Sequence, residues 1–125
     1  MLFYLATPYT KYPHGIEQAF IDACKLAARL LNEKKFSVYS PIAHTHPIAI
    51  HGNIDPYELS IWLPFDANMI RVCNSLLVAH MDGWEQSSGI AHEVDEFSRA
   101  RKPILDLDPK TLATTLRPGP IIGAM

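Results

Sequence analysis

The stretch Leu76-Leu77-Val78-Ala79-His80-Met81-Asp82-Gly83-Trp84-Glu85-Gln86-Ser87-Ser88-Gly89-Ile90-Ala91-His92-Glu93 decides the fold. It opens on an apolar run and passes through a turn rich in glycine and serine. It then enters a segment whose apolar members Ile90, Ala91, Val94 and Phe97 recur at helical spacing. This is a buried strand feeding a helix, half of a parallel crossover unit. The junction is also a place for an anion: a helix N-terminus presents unpaired N–H groups and partial positive charge, and Ser87 or Ser88 can cap it or donate to a ligand. Glu93 falls four residues after Gly89, one turn up, where its carboxylate looks back over the same mouth. Gly89 lets a ligand lie close to the backbone beside it.

Working outward, strand and helix signals alternate. Leu2 to Ala6 is a short apolar run ended by Thr7-Pro8, a first buried strand. Residues 15–35 carry apolar side chains at spacings of three and four, an amphipathic helix. Residues 36–39 make a second strand. Residues 41–53 hold three histidines, two prolines and a glycine and are expected to be a loop. Asp55-Pro56-Tyr57-Glu58 reads as a helix start, with a capping Asp, proline at the first position and Glu three after the cap. Pro64 is expected to divide or kink that helix before it ends near Cys73. Residues 76–79 form the third strand, 88–101 the next helix, 103–107 the fourth strand, and Asp108-Pro109 is expected to start a last short helix to about residue 116. The reading is a Rossmann-like (flavodoxin-like) α/β three-layer sandwich with a parallel sheet of four to five strands. It is one domain over residues 1–125, with 117–125 as an extended tail. Ligands in such sheets collect at the carboxyl ends of the strands, which places residues 7–15, 41–53 and 81–88 around one crevice.

The 125 residues are 48% hydrophobic, enough for a single core. Eleven basic residues against thirteen acidic give a net charge of −2, and no basic stretch is present that would track a nucleic-acid backbone. Long nucleic-acid polymers are therefore not expected as ligands. Cys24 and Cys73 are widely spaced and set in apolar runs, as free thiols in a reducing compartment are. The first strand is too short and lacks the basic lead-in of a signal peptide, and no apolar run approaches the ~20 residues of a membrane span. The expectation is a soluble cytoplasmic protein that does not engage a membrane. Trp62, on a helix already apolar on several faces, and the tail residues Ile121, Ile122 and Met125 suggest that a second copy of the chain covers part of the surface, a homodimer or higher homo-oligomer.

Two carboxylates stand out as chemistry. Glu93 lies at the edge of the buried stripe of its helix. Asp66 lies in Trp62-Leu63-Pro64-Phe65-Asp66-Ala67-Asn68-Met69-Ile70, apolar on most sides, so that it is partly buried and needs a partner. Two carboxylates converging on one crevice are the minimum kit for acid–base or nucleophilic work on a glycosidic bond. His44, His46 and His51 crowd the segment after the second strand, but His-x-His without a supporting carboxylate pattern is a poor metal signature, and no metal or cofactor is expected. Tyr4, Tyr9, Tyr12, Trp62 and Trp84 could sandwich a flat heterocycle, and Trp84 in particular lies in a loop between Gly83 and Glu85, where a large ring closes a pocket or meets a partner.

Tyr4-Leu5-Ala6 on the first strand, Asp66 on the helix before the third, and Gly89 with Glu93 on the helix after it resemble the nucleoside 2-deoxyribosyltransferase-like superfamily. That group includes the deoxyribosyltransferases and the 2′-deoxynucleoside 5′-monophosphate N-glycosidases. The resemblance implies that Glu93 attacks the anomeric carbon, Tyr4 orients it, and Asp66 assists the leaving base. It further implies that Ser87, Ser88 and the Gly89 amide hold the 5′ end of a nucleoside or nucleotide, with Thr7 and Tyr9 in the first loop as further contacts and His44, His46 and Trp84 on the base side. Ser87 stands where the transferases carry an acidic residue and the monophosphate glycosidases a serine. The first loop, in contrast, offers Lys11 in place of the arginine-bearing loop of the glycosidases. The resemblance leaves base, sugar and acceptor open; a nucleotide-binding module without turnover and an NAD glycohydrolase are the alternatives.

Overall fold

Leu2–Ala6 (β1) and Ser75–Ala79 (β3) lie side by side at the centre of a five-stranded sheet in the computed structural model, which describes residues 1–119. The order is β2-β1-β3-β4-β5, with β2 at Ser37–Tyr39, β4 at Ile104–Leu107 and β5 at Thr114–Leu116. The first four strands are parallel, and β5 runs antiparallel to β4. Every residue of β3 is buried, as a central parallel strand covered on both faces requires. The α/β class and the sheet of four to five strands expected of the sequence are what the structure has, the expected parallel arrangement holding for β1 to β4 and not for β5.

The alternation of side chains along the strands sorts the core into two layers. Phe3, Leu5, Leu77, Ala79 and Leu107 face Ala19, Leu26 and Leu30 of the first helical segment, whose α1 spans Ile16–Arg29 and closes in a wider turn over Leu30–Lys34. Tyr4, Ala6, Leu76 and Val78 face the opposite layer, where Ile70 of α3 (Leu59–Val72) and Ile90 and Phe97 of α4 (Ser88–Arg99) pack. A one-residue slip in either central strand would exchange the layers, so the pattern fixes the register. The chain leaves β1 toward β2 on one side and enters β3 on the other, so the carboxyl ends of β1 and β3 form the topological switch point.

Three segments differ from expectation. Residues 41–53 are a helix, α2 at Pro41–Gly52, capped by the Ser40 hydroxyl accepting from the Ala43 amide at 3.3 Å and with Pro41 at its first turn. It stops at Asn53 in the left-handed conformation, so the cap, the N-terminal proline and the stop residue outweigh the internal Pro47. Helix α3 runs unbroken across Pro64 and begins only at Leu59, because Asp55 spends its carboxylate on a local turn to the Tyr57 amide (2.9 Å). Residues 108–116 are no helix: Asp108 Oδ1 accepts from the Lys110 and Thr111 amides, Leu112 turns left-handed with its side chain buried, and Thr114–Leu116 returns as an edge strand. An Asp-Pro start serves a turn as readily as a helix, and the β-branched Thr114 and Thr115 favour the strand. Expectations for the tail at residues 120–125 lie outside the described residues. No helix among the described residues is long and apolar enough to cross a membrane.

Candidate active site

Helix α4 starts at the end of the turn that follows β3. Ser87 is its cap, with Oγ accepting from the Ile90 amide at 3.2 Å. Gly83 turns the chain at φ 77°, and a Cβ there would meet Pro13 at 3.0 Å, so the turn requires glycine. At Gly89 a Cβ would meet nothing nearer than Ser87 Oγ at 3.8 Å; the missing side chain leaves open space over the helix N-terminus.

That space belongs to a cavity of about 360 Å³, walled by the β1–α1 loop, the start of α2, the α2–α3 connection with α3, and the head of α4. Its size suits a nucleoside-sized molecule. Thr7, Tyr9, Asp66, Ser87, Ser88, Gly89 and Glu93 all line it. Leu59, Trp62 and Asp66 share one face of α3 at spacings of three and four; Leu59 and Trp62 with Tyr57 form the apolar wall, and Asp66 sets a carboxyl beside it. Tyr57 and Leu59 carry no signal in the sequence that marks them as ligand contacts; they reach the cavity because α3 begins only at Leu59 and turns this face inward.

Glu93 on α4 and Asp66 on α3 both line this cavity, near enough for the Asp66 charge to act on Glu93. Burial pushes the Glu93 carboxyl up to about 8; the neighbouring Tyr4 hydroxyl opposes the shift and the Asp66 charge adds to it. Burial likewise raises Asp66 to about 6, against the lowering influence of His92. Four buried polar atoms have no hydrogen-bond partner among the described residues: Thr7 Oγ1 and Asp66 Oδ1 on the cavity wall, and Tyr4 Oη and Tyr39 Oη behind it, near the two carboxylates. Tyr4 is fully buried, its ring edge-on to Tyr39 at 5.6 Å and tilted on Phe97 at 5.6 Å. Its hydroxyl lies beside Glu93, near enough to stabilise that carboxylate, and burial with both carboxylates raises its own pKa far above the usual phenol value. An unpaired buried polar group costs roughly 1–3 kcal/mol, so four together mark groups held ready for something that binds. Sequence reasoning does not single out Tyr39; the signal for it is an aromatic at the carboxyl end of the second strand, next to the switch point.

The other expected contacts lie elsewhere. His46 is buried within α2, stacked on Phe20 at 4.8 Å, and does not line the cavity. Its Nδ1 is 2.6 Å from Tyr9 Oη and its Nε2 is 2.8 Å from Glu17 Oε2, so the helix aims it at Tyr9. His44 is exposed, stacks on Phe65 of α3 at 5.5 Å and lies 6.2 Å from Tyr39, centroid to centroid. Trp84 lies flat on His80, with centroids 4.0 Å apart, in a short turn on the far side of the α4 head. His80 Nε2 meets Asp106 Oδ1 at 2.7 Å, and Arg117 donates twice to the same carboxylate at 2.9 Å. His44, His46 and Trp84, which the resemblance implies for the base side, do not line this cavity: α2 turns the two histidines onto aromatic and tyrosine partners, and Trp84 lines a separate hollow on the other side of the α4 head. Among the described residues no group of three or more His, Cys, Asp and Glu is placed to hold a metal ion.

Residues 2–108 match the family described as Domain of unknown function (DUF1937). No curated protein matches the chain.

Proposed function

We propose that this chain, which belongs to the DUF1937 family, cleaves or transfers across the N-glycosidic bond of a nucleoside or nucleoside 5′-monophosphate. The observation that carries the reading is the pair Glu93 and Asp66, both raised by burial and facing one cavity beside unpaired tyrosine hydroxyls. A pair raised to about 8 and about 6 holds one proton between its members near neutral pH. One carboxylate is then free to attack an oxocarbenium-like carbon while the other delivers a proton to the departing base. In this reading Glu93 is the nucleophile, Asp66 the acid, and the Tyr4 hydroxyl orients Glu93. Glu93, the weaker acid of the two, holds the shared proton in the free protein, so before Glu93 attacks the proton passes to Asp66, a transfer that costs about 3 kcal/mol and that the departing base then draws forward. The C1′–N bond breaks, the base leaves with the proton from Asp66, and a glycosyl ester on Glu93 remains for water or a second base to resolve. Neither carboxylate needs a cofactor or metal for this sequence.

The sugar's 5′ end fits the head of α4, where backbone N–H groups, the Ser87 hydroxyl proton and Ser88 can meet phosphate oxygens. Lys11 is the cation among the cavity-lining residues. The base then lies against Tyr9, Tyr57, Leu59 and Trp62. Two free cysteines support a cytoplasmic setting. The exposed apolar side chains Ile48, Ile50, Ile54, Ile61 and Leu63 on and between α2 and α3 support a homo-oligomer in which a second copy covers these helices. The test of the enzymatic reading is chromatography for free base after incubation with deoxynucleosides, their 5′-monophosphates and NAD, with and without an added acceptor base. Base release from deoxynucleotides by the wild type and none by Glu93→Gln is the expected result; release undiminished in the variant would remove Glu93 from the chemistry.

A further inference from the structure

Tyr9, His46 and Glu17 form a chain running from the cavity wall to the surface. The Glu17 side chain is 71% exposed and the His46 side chain 2%. An ionised carboxylate only accepts hydrogen bonds, so the His46 Nε2 beside it carries a proton; in a neutral imidazole Nδ1 is then an acceptor. The Tyr9 hydroxyl, 2.6 Å from Nδ1, must donate to it. The ring cannot turn away, because Phe20 stacks on one face and Tyr9 meets it edge-on at 5.6 Å. Burial, with Tyr57 and Glu17 adding to it, pushes Tyr9 up to about 12, so it remains a hydroxyl at any physiological pH. A phenol that has given away its one proton has only lone pairs left for a second partner.

We infer that Tyr9 determines base specificity: oriented by His46 and Glu17, its oxygen offers the ligand an acceptor alone, and the cavity selects a nucleobase bearing an exocyclic amino group over its keto counterpart. The inference rests on the nucleoside reading above. With the sugar at Glu93 and its 5′ end at the head of α4, the base falls to the wall where Tyr9 lies 6.4 Å from Tyr57, centroid to centroid. An amino group there donates to Tyr9, whereas a keto oxygen would set two acceptors against each other. A site built around one fixed hydrogen-bonding sense rejects the opposite sense more strongly than an apolar pocket rejects a change in size. His46 and Glu17 are positioning residues in this scheme, since neither touches the ligand.

Two measurements test it. Nitrogen-resolved NMR of the ligand-free protein reads the His46 tautomer directly: a proton on Nε2 and none on Nδ1 is expected, and a proton on Nδ1, alone or with Nε2, overturns the inference because Tyr9 would then accept from His46. The second is calorimetric binding of the adenine, hypoxanthine, cytosine and uracil deoxynucleoside 5′-monophosphates to Glu93→Gln, which separates binding from turnover. The amino member of each pair should bind roughly tenfold or more tighter than the keto member, and adding Tyr9→Phe should bring each pair within about threefold. Glu17→Gln, which can present either a donor or an acceptor to His46, should weaken the preference without abolishing binding. Equal affinities within each pair, a preference that survives Tyr9→Phe, or no binding by any of the four would overturn the inference. Amino preference in binding without base release from the wild type would defeat the enzymatic reading and leave this one standing, and base release without preference would do the reverse.

Discussion

Replacing Glu93 with Gln should make the protein more stable, and by an amount that depends on pH. The Glu93 carboxyl is raised from 4.5 to about 8 by burial beside Asp66, so the folded state resists its ionisation while the unfolded chain does not. A group raised in this way contributes stability that is fully present below the unfolded value and is lost as pH climbs through the folded one. Every tenfold weakening of the acid on folding corresponds to about 1.4 kcal/mol. The wild type therefore forfeits about 1 kcal/mol at pH 5, about 3 kcal/mol at pH 7, and on the order of 4–5 kcal/mol by pH 9. Gln has the same size and no charge to desolvate, so Glu93→Gln escapes this loss. The measurement is urea unfolding of both proteins at pH 5, 7 and 9, comparing midpoints at equal slope. The gain should be small at pH 5 and largest at pH 9. A gain of the same size at all three values, or no gain at pH 9, would refute the claim that the carboxylate is held in an environment hostile to its charge. A site tuned to move protons is expected to destabilise its own fold in this way.

The same pair predicts a bell-shaped pH dependence of kcat/KM with limbs near 6 and 8: below the lower limb both carboxyls are protonated and no nucleophile remains, above the upper one neither holds a proton for the base, and a profile flat from pH 5 to 9 would argue against the shared proton. Ser87→Ala should lower the kcat/KM advantage of a deoxynucleoside 5′-monophosphate over its nucleoside and, through the lost cap, cost about 1 kcal/mol of stability; an unchanged ratio would mean that no phosphate sits at the head of α4. Lys102 donates to the carbonyls of Ile70, Arg71 and Cys73, each at 2.8 Å, at the end of α3, so Lys102→Met should cost about 2 kcal/mol in urea unfolding, and an unmoved midpoint would contradict it. Sedimentation should find a dimer or larger assembly at micromolar concentration, and Ile50→Glu with Ile61→Glu should dissociate it; a wild-type monomer would refute that expectation.

Where hydrophobic pattern alone decides an element, the sequence is readable. The runs at β1 and β3 are continuous and apolar because both faces of a central parallel strand are covered, and α1 and α4 show the one-sided stripe of helices with a solvent face. Where a polar or special residue decides, two outcomes share one signature. Asp-Pro at 108 and Asp-Pro at 55 each offer a carboxylate to a following amide, and both serve turns rather than the helix expected directly behind them. Ser40-Pro41 is the true helix start, hidden by the histidines and Pro47 that follow it. The local code for a cap and for an Asx turn is the same, and only the tertiary setting separates them.

The site shows the same division. Glu93, Asp66, Ser87 and Gly89 are legible because their places follow from position on a helix relative to its N-terminus or its apolar face, which spacing reports. His46 and Trp84 are not, since a side chain's partner lies across the fold: Glu17 is 29 residues from His46, and Asp106 is 26 from His80. Their partners explain why they do not line this cavity: His46 has both nitrogens engaged, and one face of the half-buried Trp84 ring is stacked on His80. Among the described residues, the buried groups left with unmet hydrogen-bonding capacity are instead Tyr4, Thr7, Tyr39 and Asp66, which come from β1, its following loop, β2 and α3. No single segment reveals them, because what marks them is the absence of a partner after folding. A fold that leaves such atoms on and behind one cavity wall, beside a carboxylate it could ionise only at a cost, has foregone several kcal/mol there. A substrate that hydrogen-bonds there regains it on binding, which is the energetic argument for placing the chemistry at this cavity rather than at the better-satisfied pairs around His80 and His46.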